Sequence, residues 1–489
     1  MSKSNYKYRH GCSWSSGSTI VERRLAYVNL YRTRSSHRHT HTHTVAQSYS
    51  NILGVIGWGP AYVLNSICSH AIGSNNPKLA GNWLQIALVA SVILSIPICA
   101  LYFATGPVMR IAYSSSNATN SEEIHYAEQY NYIAWGIYPP QIIYMSLRQY
   151  FQAISVVHPA SIVSFVTVFV NLGLNLVLVF GISSLGFHGL GIHGSPLATL
   201  VSMIFQLVTF HMFAIFWKQY HKNFWDGWTF ESFSRERVSR FLRLCGPMCI
   251  GICLENWGYS FMTLMTGRMH DKANVATHSV FYQLWFVLFS FYWGWGLALQ
   301  VRVAKRLAAG RLDDVKRIIV ISLSIVFAII MSVAIVLLTL RSEIPKMFSS
   351  DPNVLSLASQ DMYILVLNYS VSCISLCGVN VLEATGQTKA LMFIQSFFTW
   401  FVQFPSAYLL SFHCSAWKDK QLLGLWTGML IGETSKAVAA WIVLYRSDWV
   451  QLSKDARERS EAEESSASLR SSLLEEEGEK SNNNATVLD

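Results

Sequence analysis

IIVISLSIVFAIIMSVAIVLLTL, residues 318–340, carries no charged side chain. A helix of about 20 apolar residues spans the roughly 30 Å hydrocarbon layer of a bilayer, so the stretch reads as a membrane span. Comparable runs recur on both sides of it, from about Gly54 to Tyr445, with short polar breaks between them. The pattern predicts eleven spans, at 49–69, 83–105, 129–148, 159–182, 194–217, 241–265, 275–300, 318–340, 360–382, 390–412 and 422–446. Composition agrees: 52% of the 489 residues are hydrophobic and 13% charged, against about a quarter charged in soluble domains. The expected fold is an all-α polytopic bundle whose solvent is the lipid bilayer.

The formal charge of +9 does not point to nucleic acid. Its Lys and Arg residues fall between apolar runs: Lys218, Lys222, Arg235, Arg237, Arg240 and Arg243 after the fifth span, and Arg302, Lys305, Arg306, Arg311, Lys316 and Arg317 after the seventh. The positive-inside rule puts both clusters in the cytoplasm. Alternation then places Gly106–Ala127 outside, where Asn117-Ala118-Thr119 is a sequon that makes Asn117 a glycosylation candidate. From Ser453 the chain turns to Ser, Glu and Asn, a composition that cannot bury enough surface to fold, and 453–489 is expected to be a disordered cytoplasmic tail. Residues 1–44 are basic and end in HRHTHTHT (37–44). Metal binding by His37, His39, His41 and His43 is one reading of that tract, and an atypical or faulty first exon is the other. Most of the nine cysteines lie in apolar runs, with Cys245, Cys249 and Cys253 at helical spacing and no CxxC pair, so they read as packing residues and no metal site is expected.

Three segments recur in order. IGSNNPKLAG (72–81) is echoed by AGRLDDVKR (309–317), FQAISVVHPA (151–160) by LEATGQTKA (382–390), and GLGIHGSPLATL (189–200) by LLGLWTGMLIGE (422–433). One spacing of about 234 residues fits all three, as in transporters built from repeated halves. This divides the chain into an amino-terminal lobe (45–217), a cytoplasmic linker (218–240) and a carboxy-terminal lobe (241–452). The sixth span then lacks a counterpart near the amino terminus, so a first helix is expected to be missing.

The same segments resemble the multidrug and toxic compound extrusion (MATE) family, in its eukaryotic branch. The likeness runs from about Val45 to Arg459. It rests on LNSICSHAIGSNNPKLAG (64–81), with His70 where the family usually has Gln, and on RQYFQAISVVHP (148–159), FLRLCGPMCIGICLENWGY (241–259), LQVRVAKRLAAG (299–310), VLEATGQTKA (381–390) and GLWTGMLIG (424–432). The resemblance implies two lobes of the MOP superfold, six helices each in the full family, around a cavity that opens alternately to either side. It implies a monomer acting on a small organic molecule, with no cofactor beyond an ion gradient, proton or sodium, in the plasma membrane or a vacuolar or other internal membrane.

Glu255 is the residue expected to carry the chemistry. A charge at the bilayer centre costs about 2.5–3.5 kcal/mol on lenient scales, and withdrawal from water penalises the ionised form of any carboxyl. Glu255 is therefore expected to exchange a proton for a cation, the role the family resemblance also gives it. Three other acids common in the eukaryotic branch are replaced here, by Ser260, Gln283 and Ser372. Trp257, Tyr259 and Tyr282 offer ring faces to an organic cation at about 0.5–2 kcal/mol each, and Gln283 completes the expected cavity lining. Trp285, Tyr292, Trp293 and Trp295 are candidates of the same kind, and packing or an interfacial belt is the competing role for all seven rings. Glu433 and Lys436 stand one turn apart and read as a structural pair, with a proton site as the alternative. Asn171 and Asn175 read as interhelical hydrogen-bonding residues, with cavity lining as the alternative for Asn175. Glu383 reads as a solvated helix-end acid. No Walker loop and no nucleophile–base set is present, so an enzyme is not expected. Three functions follow: a proton-coupled exporter of organic cations, a lipid-linked sugar flippase of the same superfold, which would need a basic cavity, or a truncated, non-functional relative.

Overall fold

The computed structural model describes residues 49–458 except 51, 114–120, 183–185, 226, 267, 270 and 418–419. Expectations for 1–44, for Asn117 and for 459–489 lie outside the described residues.

The described chain is nearly all helix: α1 Trp58–Gly73, α2 Leu79–Phe103, α3 Thr105–Tyr113, α4 Ser121–Ala134, α5 Tyr138–Ala153, α6 His158–Phe180, α7 Gly194–His211, α8 Arg235–Thr266, α9 Lys272–Ala308, α10 Leu312–Thr339, α11 Pro352–Thr385, α12 Thr388–Phe397, α13 Phe404–Tyr408 and α14 Gln421–Arg446. Each of the eleven expected spans falls on helix. Seven of these helices are long and apolar enough to cross a membrane. Large apolar side chains stay exposed on their outer faces, Val320 at 62%, Phe327 at 62% and Ile335 at 60% on α10 alone. That is what a lipid-facing surface requires and water would penalise.

Helix ends follow local chemistry. Asp351 accepts the backbone N–H of Asn353 at 2.9 Å and Pro352 opens α11, the usual start for a helix. Gly386, at φ 78°, closes α11 in the left-handed conformation, with Gln387 N–H reaching back to the carbonyl of Leu382. The Thr-Gly-Gln of the repeated motif is thus a helix stop. The run 388–413 departs from α geometry twice, in the widened π turns Phe398–Gln403 and Leu409–His413.

Moving each amino-terminal helix forward by about 234 residues carries α1 onto α9, α2 onto α10, α4–α5 onto α11, α6 onto 388–413 and α7 onto α14. Packing repeats with it: α1 meets α2 and α5 as α9 meets α10 and α11, and α6 meets α7 as 388–413 meets α14. Between halves, α1 packs on α8 and α9. One apolar core runs through both halves, and a smaller one built on Tyr102, Tyr130 and Tyr138 sits at the outer end of the first.

The linker is shorter and more firmly held than its sequence suggested. Helix α8 already starts at Arg235. Ahead of it, Gln85 of α2 donates to the carbonyl of Gly227 at 2.7 Å and accepts from the N–H of Thr229 at 3.0 Å, while Ser232 donates to Asn82 at 2.9 Å. Order also runs past Ser453. Residues 449–458 are helical, Ala456 is fully buried, and Ser453 donates its hydroxyl to the carbonyl of Leu307 at 2.7 Å. Composition missed this because a small buried residue on α9's end is enough to seat one short helix.

Candidate functional site

Glu255 lies in the middle of α8, with Tyr259 and Thr263 on the same face at successive four-residue steps. Two glycines let the 388–413 run approach that face. A Cβ on Gly251 would stand 3.0 Å from Gln395 Oε1, and one on Gly258 would stand 2.8 Å from Thr399 Cγ2. Gln395 Nε2 then donates to Glu255 Oε2 at 2.8 Å. From the other side α14 comes close enough that a Cβ on Gly432 would fall 2.3 Å from the Cβ of Gln403, and one on Gly428 would fall 2.2 Å from the Cα of Ala407. This brings Glu433 and Lys436 to the same seam. Their side chains, 5% and 3% exposed, pair at 2.6 Å. Both lie within electrostatic reach of Glu255, and Tyr259 lies within reach of Glu255 and Glu433. The π turn of Phe398–Gln403 carries Thr399 and Gln403, and π turns recur at functional sites. Gln395 Oε1, Thr399 Oγ1 and Gln403 Oε1 are buried acceptors without a hydrogen-bond partner among the described residues. Such oxygens suit a hard cation or ordered water.

Aromatic rings pack beside the seam. Along α9, His278, Tyr282, Trp285 and Phe289 follow one another with centroids 6.0, 6.4 and 4.6 Å apart and planes within 21°. Tyr259 meets Trp285 at 5.4 Å. The row continues through Trp293 to Tyr62 of α1, edge-on at 6.0 Å, and so crosses between the halves.

The expected residues therefore separate. Glu255, Tyr259 and Tyr282 converge. Trp257 instead donates to the carbonyl of Ile52 at 3.2 Å and joins the two halves. Gln283 is half-buried and shares a face of α9 with Val287, 40% exposed, one residue round from the ring row; among the described residues no hydrogen bond ties it to the seam. Asn175 makes a different contact. Its amide bonds Asn171, which bonds Ser202, fastening α6 to α7. Tyr292 donates to the carbonyl of Cys373, and Trp295 to Ser322 at 2.8 Å, both packing roles. Glu383 is not a solvated helix end: it is half-buried, in electrostatic reach of Glu255 and Tyr62. Gln395 and Tyr62 escaped the sequence reading. A lone amide in the apolar run MFIQSFF (392–398) was the available signal for Gln395; nothing marked Tyr62.

At the end carrying the basic clusters, the halves are tied together. Asn65 donates to Gln300 at 3.0 Å, Ser66 to the carbonyl of Glu383 at 2.8 Å, His70 Nε2 to the carbonyl of Ala384 at 2.5 Å, and Lys305 to Ser155 at 2.7 Å. Gly73 packs on the backbone of α9, where a Cβ would stand 2.2 Å from the carbonyl oxygen of Lys305.

Two repeated helical lobes with a half-buried mid-helix acid in one, an aromatic row between them and one end shut define a class: a two-lobed membrane transporter. The MatE family model matches residues 32–177 and 247–409, more than half of the chain and starting ahead of Val45, and the chain belongs to that family. Multidrug and toxin extrusion protein 2 of Mus musculus is 25% identical over 418 residues, 85% of this chain and 70% of its own length. Multidrug and toxin extrusion protein 1 of Xenopus tropicalis is 25% identical over 422 residues, 85% of this chain and 69% of its own. Among solved structures, the eukaryotic MATE transporter AtDTX14 shares the fold with a TM-score of 0.78 at 19% identity, covering 91% of this chain and 95% of that one. A multidrug resistance MATE transporter of the MOP superfamily, in an outward-facing conformation, does so with 0.71 at 16% identity, covering 90% and 94%. The chain is thus a MATE-type efflux transporter of the membrane, not an enzyme.

Proposed function

We propose that the chain exports monovalent organic cations in exchange for protons, and that Glu255 is the group on which proton and cation alternate. The observation that carries this is the environment of Glu255. Its direct partner is a neutral amide, Gln395, and among the described residues it forms no ion pair, since the nearby ammonium of Lys436 is taken by Glu433. A carboxylate so placed has a charge to offer a passing cation, and a proton replaces that cation when none is bound. The aromatic row supplies flat faces for the organic part. A flippase for lipid-linked sugars would want a basic cavity; here Glu255, Glu433 and Glu383 outnumber Lys436.

The basic end faces the cytoplasm in this reading, so the closed contacts Asn65–Gln300 and Lys305–Ser155 shut the inner mouth. The scheme is the same in the plasma membrane or a vacuolar membrane, because both keep the acidic side opposite the cytoplasm. In vesicles loaded acid inside, the reconstituted protein is expected to accumulate ethidium, and Glu255→Gln to reduce this to the level of protein-free vesicles. Accumulation driven by a sodium gradient at equal pH would move the coupling role to that ion, with the oxygens of Gln395, Thr399 and Gln403 as its ligands. Unimpaired exchange in Glu255→Gln would end the reading.

A further inference from the structure

We infer that Lys436 sets the coupling stoichiometry: by neutralising Glu433 inside the seam it leaves Glu255 as the one exchangeable charge, so that one proton is traded for one monovalent cation. This rests on the exporter reading above and adds to it a role for a pair that looks structural in sequence.

The argument is a count of charge in a dry place. Glu433 and Lys436 touch at 2.6 Å with almost no exposure, so the pair is neutral wherever its shared proton sits, on nitrogen or on oxygen. Removing one member of such a pair leaves an uncompensated buried charge, whereas removing both is often tolerated. Around Glu255 the other titratable groups are Tyr259 on its own helix, Tyr282 and His278 from α9, Glu433 and Lys436 from α14, Tyr62 from α1 and Glu383 from α11. Arg148 of α5 and Glu383 of α11 both lie in electrostatic reach of Tyr62, so the mouth carries one charge of each sign. The seam is therefore neutral with Glu255 protonated and carries one negative charge without. When a monovalent cation arrives, the O–H bond of Glu255 breaks, one proton leaves to water on the side the cavity faces, and no net charge crosses in a full cycle.

The test uses the full chain in acid-inside vesicles with ethidium as probe, a potential of either sign imposed by potassium and valinomycin, and protein-free vesicles subtracted. The intact protein is expected to accumulate ethidium to the same ratio at every potential. In Lys436→Met, Glu433 becomes a second exchangeable carboxylate, two protons leave per ethidium, and the ratio changes about tenfold per 59 mV. The double variant Glu433→Gln/Lys436→Met restores neutrality and potential independence, which a purely structural pair would not do. A potential-dependent intact protein, a folded but potential-independent Lys436→Met, or a double variant that misfolds, is inactive or follows potential each overturns the inference. If Lys436→Met alone fails to fold, the double variant decides by the same criteria. Failure of the exporter reading looks different: no acid-driven uptake by the intact chain, or uptake that survives Glu255→Gln.

Discussion

Gln395 shows how one amide can govern an acid. Among the described residues it is the one hydrogen-bond donor on the Glu255 carboxyl, and hydrogen bonds to charged groups contribute about 1.5–3 kcal/mol. Gln395→Leu removes the donor while keeping bulk. The ethidium concentration for half-maximal exchange is expected to rise about ten- to a hundredfold, with little change in the thermal midpoint of the purified protein. An unchanged half-saturation would mean that the amide packs against Glu255 without tuning it. Tyr259 and Tyr282 belong to the same residue-scale picture, since both reach the ring of Trp285 from different helices and present faces toward one seam.

At the scale of elements, glycine decides how closely α14 can lie on 388–413. A side chain at Gly428 would run into the backbone of Ala407, which cannot step aside as a flexible side chain can. Gly428→Val is expected to lower stability by about 1–3 kcal/mol, read as a fall in thermal midpoint and in yield. Gly173 on α6 meets nothing within 4 Å of its would-be Cβ, and Gly173→Ala is expected to be neutral or slightly stabilising. Equal effects at both sites would show that helix propensity, not the close approach, is what matters at Gly428. The widened turns of 388–413 act with these glycines.

For the whole molecule, alternating access requires the tied end to part. Its contacts among the described residues are few: four side-chain hydrogen bonds, Asn65–Gln300, Ser66–Glu383, His70–Ala384 and Lys305–Ser155, and the seat of Gly73 on the backbone of Lys305. Polar bonds of this kind each contribute only about 0.5–1.5 kcal/mol net, so the closure can be opened by modest differences in binding. Gly73→Val puts a branched side chain into that seat and is expected to hold the basic end apart. Ethidium exchange should fall while the protein stays folded, and a cysteine placed by Ser155→Cys should react faster with a water-borne maleimide in the Gly73→Val background. An unchanged labelling rate would show that this seat is not part of the closure.

The sequence by itself determined the solvent, the helices and the repeat. Apolar runs of bilayer length, basic clusters between them and motifs spaced about 234 residues apart are properties of the chain read one residue at a time, and they place Glu255 in mid-span without any knowledge of its neighbours. The tertiary structure decided which polar groups meet it. Gln395 lies 140 positions away from Glu255, and Glu433 and Lys436 come from yet another helix, so local pattern does not show that these groups meet. The same reason moved Trp257, Gln283 and Asn175 out of the site and Glu383 into it. A residue's helix and depth are written in its own surroundings in sequence, but which side of a helix meets which neighbour is set by how glycines, widened turns and packed rings let the helices approach.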